Sequence, residues 1–110
     1  MESQKLRVIQ DYDKLNTDIQ EQIKLVYPEG YADHLITFTN AKREKVSALP
    51  FETFEKIYMV RMTAAKAEKL VDEDDDFDDD GNLKTSVREE YEDHHSGVDY
   101  LSENDNYEEI

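Results

Sequence analysis

The sequence predicts an α+β fold: a small antiparallel sheet packed by helices in the order α-β-β-β-α, followed by a largely disordered acidic tail. Three observations point there. One segment places apolar residues at helical spacing, three short runs alternate in character, and the charge is segregated along the chain.

The first helix is expected over residues 11–27, DYDKLNTDIQEQIKLVY, where Tyr12, Leu15, Ile19, Ile23 and Val26 recur at steps of three or four. That spacing lays one apolar stripe along a helix. Asp11 and Asp13 stand near its start, where the helix dipole favours negative charge, and Pro28-Glu29-Gly30 ends it with turn residues. Residues 34–40, HLITFTN, are β-branched and aromatic, with Ile36 and Phe38 on one face and Leu35, Thr37 and Thr39 on the other. Residues 40–44 form a polar connection to a second strand at 45–49, KVSAL, which Pro50 should end because it cannot donate to a ladder. In residues 56–62, KIYMVRM, the side chains of Tyr58, Val60 and Met62 should face one way and those of Ile57, Met59 and Arg61 the other. Thr63 is a candidate N-cap for a helix over 64–71, AAKAEKLV, which has high helix propensity. A domain of this size is marginal alone, which points to support from a partner or a homodimer.

The chain has 110 residues, a formal charge of −15 and 37% apolar residues. Residues 1–70 hold 11 basic and 11 acidic side chains, whereas residues 71–110 hold 2 basic and 17 acidic ones. The expected boundary therefore lies at residue 71, with a small domain at 1–71 and an acidic tail at 72–110. Residues 72–80 contain eight carboxylates, a block that repels itself and should not enter a core. Within the tail, Ser86-Val-Arg-Glu89 has the form of a capping box, and Leu83, Val87 and Tyr91 are spaced by four, so a short helix over 86–94 is expected. Such a charge balance disfavours direct binding to nucleic acid or anionic lipid. Cysteine is absent, which excludes disulfides and thiolate chemistry. MESQKLRVIQDYDK has no apolar signal-peptide core and no stretch is long and apolar enough to span a bilayer, so a cytoplasmic location is expected.

One motif suggests a metal. Residues 76–83, DFDDDGNL, match the first half of a calcium loop, with Asp76, Asp78, Asp80 and Asn82 as oxygen ligands and Gly81 at the bend. The twelfth position is Val87, where a bidentate glutamate belongs. Weak calcium binding is the alternative that this motif supports. Glu92, Asp93, His94 and His95 carry metal-ligating groups, but neighbouring histidines do not share a helix face, so solvated side chains are the expectation. His34 has no accompanying catalytic motif. No phosphate-binding loop, nucleophile elbow or H-E-x-x-H is present, so no cofactor is expected and the chain is not expected to be an enzyme.

The run YPEGYADHLITFTNAKREKVSALPFETFEKIYMVRM, followed by DDDFDDDG and VREEYED, resembles small acidic bacterial proteins of unassigned function. The resemblance implies a bacterial cytoplasmic setting and supplies no site residues.

The expected function is that of a small accessory or regulatory protein. Its domain would dock on a larger, nucleic-acid-handling protein, such as a transcription, replication or ribosome-associated one. Its acidic tail would engage a basic surface as a nucleic-acid mimic. The expected contact residues are Asp74, Asp75, Asp76, Asp78, Asp79 and Asp80, with Tyr91, Tyr100, Leu101 and Tyr107 as anchors. A further expectation is that the tail folds back on the basic hairpin loop at Lys42, Arg43 and Lys45. A purely structural interaction domain with an inert tail is the bland alternative.

Overall fold

The computed structural model describes residues 5–96. They form a small mixed α+β domain with a four-stranded sheet and three α-helices. The strands are β1 (Leu6–Asp11), β2 (Ile36–Thr39), β3 (Lys45–Glu52) and β4 (Lys56–Arg61), and the helices are α1 (Thr17–Val26), α2 (Ala64–Asp72) and α3 (Thr85–His94). The sheet order is β1-β4-β3-β2, with β1 parallel to β4 and the other pairs antiparallel.

Strand β1 corrects the expected α-β-β-β-α order, because the first element of the described residues is a strand of the sheet. Its partner β4 is about fifty residues away, with Leu6 opposite Lys56 and Asp11 opposite Arg61. The expected long first helix is shorter as well. Tyr12–Lys14 form a 3-10 turn, and α1 starts only after Asn16, whose side chain accepts the Ile19 N–H at 2.9 Å. That bond satisfies one of the N–H groups a helix start leaves open. Thr63 caps α2 in the same way, accepting from the Lys66 N–H at 3.0 Å. The α3 N-cap is Lys84, without a side-chain cap, so Ser86 lies inside the helix and does not act as the cap of a capping box.

Strand β3 runs through Pro50, against the expectation that the proline would end it. Strand β2 pairs with β3 only as far as Ala48. Beyond that point the Pro50 carbonyl, opposite Met59 in register, accepts a hydrogen bond from the Tyr27 hydroxyl. Backbone N and C=O of one residue share a strand edge. The missing N–H therefore falls on the side with no neighbouring strand, where proline is tolerated.

The core lies on one face of the sheet. Leu49 and Phe51 from β3 and Val60 from β4 meet Ile23 and Val26 of α1, Ala67 of α2, and Tyr12, Leu15, Tyr31 and Met62. The expected alternation of Tyr58, Val60 and Met62 toward the core is observed. In β2, Ile36 is exposed and Phe38 half-buried, while Leu35, just before the strand, packs against the core.

Two further core members, Phe77 and Leu83, come from the acidic segment, and they are 5% and 6% exposed. They form an isolated antiparallel bridge. The Leu83 N–H donates to the Pro28 carbonyl at 2.7 Å, and α3 packs on α1. Residues 72–96 are thus part of the fold, which corrects the expectation of a largely disordered tail beginning at 72. The described part of the segment docks on α1, not on the loop at residues 40–44, which is a tight turn held by the Asn40 side chain accepting from Lys42 and Glu44 N–H groups. No helix among the described residues is long and apolar enough to cross a membrane.

Candidate functional site

An aspartate-rich run enters a fold only if its charges are separated or neutralised. Both happen here, and the agent is Lys24 on α1. Its side chain is 10% exposed, and its Nζ lies 2.7 Å from Oδ2 of Asp74 and 2.7 Å from Oδ2 of Asp76. The Tyr91 hydroxyl of α3 donates to the same Asp76 oxygen at 2.6 Å. Burial alone would lower the Lys24 pKa, but the bonds to Asp74 and Asp76 outweigh it and hold the ammonium above its ordinary value. For Asp76, desolvation would raise the pKa, and the bonds from Lys24 and Tyr91 more than reverse this, so its carboxyl is held below the ordinary range. The Tyr91 hydroxyl is pushed up by burial and by its bond to Asp76.

The chain then turns. Asp78 Oδ1 accepts the N–H groups of Asp80 at 2.9 Å and Asn82 at 3.0 Å, while the Gly81 N–H donates to the Asp78 carbonyl. Gly81 has φ +83°, a conformation that glycine adopts without a Cβ penalty. This geometry does not gather the proposed calcium ligands. Asp76 is occupied by Lys24 and Tyr91, Asp78 serves its own turn, and the carboxylates of Asp76, Asp78 and Asp80 do not converge. Among the described residues, the group of His, Asp and Glu ligand atoms that does converge is Glu21, His94 and His95.

The turn forms one wall of a groove of about 600 Å³. Seven carboxylate residues line it: Glu29 and Asp33 after α1, Glu68 and Asp72 on α2, and Asp78, Asp79 and Asp80 on the turn. Lys69 is the one lysine in the lining, and its Nζ lies 4.0 Å from Glu73. Tyr31, Ala67 and Val71 supply an apolar floor. Gly30, with φ +101°, and Gly81, with φ +83°, adopt a left-handed backbone that favours glycine, and they face each other in ordinary contact: a Cβ at Gly30 would lie 3.8 Å from the Gly81 carbonyl oxygen. Carboxylates over an apolar floor suit a Lys or Arg side chain, whose aliphatic stem can be buried while its head is neutralised.

The structure divides the sequence-derived contact residues into groups. Asp78, Asp79 and Asp80 line the groove, and Asp75 is exposed outside its lining. Asp74 and Asp76 face Lys24, and Tyr91 is half-buried against Asp76 as an internal tie. Tyr100, Leu101 and Tyr107 lie outside the described residues. Sequence reasoning missed Glu29, Asp33, Glu68 and Asp72 as groove residues. The first three belong to the charge-balanced part of the chain, and no local signal sets them apart.

Comparison of the chain with protein-family models, with curated proteins and with solved structures returns no match.

Proposed function

We propose that the protein is a small accessory binding protein, without catalytic activity of its own, whose acidic groove takes a basic segment of a protein partner. The observation that carries this is the groove itself, in which seven carboxylates and one lysine surround an apolar floor. Its volume accommodates a few side chains of an extended peptide. Proteins that handle nucleic acid present such Lys/Arg segments, and closely spaced carboxylates compete for them as phosphates do. Transcription, replication and ribosome-associated proteins are the natural class of partner, in a cytoplasmic setting.

The test is a calorimetric titration of the full chain with a short Lys/Arg-rich peptide and with a neutral peptide of equal length. A triple variant, Glu68→Gln/Asp79→Asn/Asp80→Asn, removes three groove charges without touching the Asp78 turn. Surface charge pairs contribute up to about 1 kcal/mol each, so the variant should weaken binding by about tenfold to a hundredfold. Binding should also fall steeply with added salt. Equal affinity for the neutral peptide, or an unchanged triple variant, would refute the proposal.

A further inference from the structure

Helix α3 ends at His94, and His95 is its C-cap, with φ −110° and ψ 19°. Neighbouring side chains within a helix point well apart, but the break in backbone conformation between these two brings their rings together. The ring centroids are 4.5 Å apart with a 35° tilt. Both rings turn toward α1, where Glu21 waits with a side chain only 14% exposed. His94 Nδ1 lies 3.1 Å from Glu21 Oε1, and His95 Nε2 lies 2.7 Å from the same oxygen. The ligand atoms of the three residues all lie within 4.8 Å of one another. Two of the chain's three histidines therefore meet one carboxylate.

We propose that Glu21, His94 and His95 form a zinc site that clips the end of α3 to α1. Two imidazoles and a carboxylate are a set that zinc takes in open sites, leaving a fourth position for water. Ligand bonds of about 2.1 Å at a tetrahedral angle put neighbouring donors about 3.4 Å apart. The contacts to Glu21 are already near that separation, so the ion enters with small side-chain adjustments. The His95 ring is 4% exposed and held in place, whereas the His94 ring is 60% exposed and lies on the solvent side, where the ion would enter. Nitrogen donors distinguish this site from the oxygen-only aspartate run, which suits hard cations such as calcium and not a borderline ion. The excess of carboxylates in residues 71–110 raises the local concentration of any cation around it. The inference is independent of the acidic groove.

The experiment is equilibrium titration of the full chain with zinc chloride in about 0.15 M salt, where long-range attraction to the aspartate run is screened, with excess calcium present. The expected result is one zinc per chain, bound at micromolar concentration or tighter and not displaced by millimolar calcium. His94→Asn changes an exposed ring and leaves the fold intact, as circular dichroism will verify. It and Glu21→Gln should each weaken zinc binding by at least about tenfold, since even outer partners of a metal ligand contribute that much. Asp79→Asn/Asp80→Asn should leave it unchanged. Cobalt substitution should give the visible absorption of a four-coordinate nitrogen and oxygen site in the parent chain and lose it in His94→Asn. Binding no tighter than millimolar, zinc affinity unaffected by His94→Asn, or affinity lost in the aspartate variant would overturn the proposal.

Discussion

Replacing Lys24 by methionine keeps most of the aliphatic stem and removes the charge that Asp74 and Asp76 share. Each Oδ2 lies 2.7 Å from Nζ, so the two oxygens are no farther apart than twice 2.7 Å. At an effective dielectric of about 20, two unit charges at that separation repel by about 3 kcal/mol. Breaking a buried ion pair by removing one member costs about 3–5 kcal/mol. The two carboxylates keep 22% and 23% of their surface in water and can rotate toward it, which relieves part of the repulsion. A net loss of about 2–3 kcal/mol follows, out of a total of about 5–14 kcal/mol for a domain of this size. For such a domain this lowers the thermal midpoint by about 10–20 °C. Melting followed by far-ultraviolet circular dichroism at neutral pH measures it. Lys24→Met/Asp74→Asn/Asp76→Asn removes the repulsion and should recover more than half of the loss. Amides of Phe77 and Leu83 should lose hydrogen-exchange protection before those of the sheet. If the midpoint of Lys24→Met falls by less than about 3 °C, or the triple variant melts lower still, Lys24 does not hold the acidic segment in the way argued.

Phe77→Ala should cost about 3–5 kcal/mol in urea unfolding, because the ring is buried edge-on against Tyr31 at 6.0 Å, whereas a free tail would give no effect. The Asp76 carboxyl has its pKa lowered in the folded state, so its pairing stabilises the fold above the ordinary carboxylate value of about 4 and is lost as pH falls through the lower, folded value. Thermal midpoints measured from neutral to strongly acidic pH should therefore drop less in Asp76→Asn than in the parent chain. Lys24, whose pKa is raised, contributes the opposite dependence: its share is complete below the ordinary lysine value and disappears only at higher pH.

Much of the fold could be read locally. The stripe on α1, the β2–β3 hairpin, the alternation in β4, the Thr63 cap and α3 all follow from spacing within a few residues. What escaped was long-range. Strand β1 is a short run, LRVIQD, interrupted by Arg7 and ending in polar residues, and nothing near it announces a parallel partner about fifty residues away. Pro50 ends a strand only where a neighbour needs its N–H, and no local pattern shows that the pairing of β2 along β3 stops at Ala48. The acidic block was the largest miss. A composition rule counts charges without their directions, and it cannot see that Lys24, fifty-two residues before Asp76, neutralises the inward pair. Phe77 in the middle of that block was the available signal, since a large aromatic flanked by aspartates has little reason to be solvated. The site divides the same way: Asp78, Asp79 and Asp80 stood out as an acidic run, while Glu29, Asp33 and Glu68 on the opposing wall came from a segment whose net charge is zero.

One segment completes the core and also forms a wall of the groove, which links the two energetically. The turn bearing Asp78, Asp79 and Asp80 is anchored on one side by the Lys24 bridges to Asp74 and Asp76. On the other side it is anchored by the Leu83 N–H on the Pro28 carbonyl. Both anchors end on α1 or on the residues just after it, close to Gly30 on the opposing wall. Releasing the segment therefore dismantles the groove. Conversely, a cationic segment seated there, as proposed, would offset the repulsion among the outward carboxylates and so favour the docked state. By linkage, any ligand that binds only the docked form stabilises it in proportion to the logarithm of its concentration. Affinity for a basic peptide and the midpoint of unfolding should thus move together across the Lys24 and Phe77 variants. A purely surface electrostatic patch would separate them, because there charge alone would set the affinity and the core alone the stability.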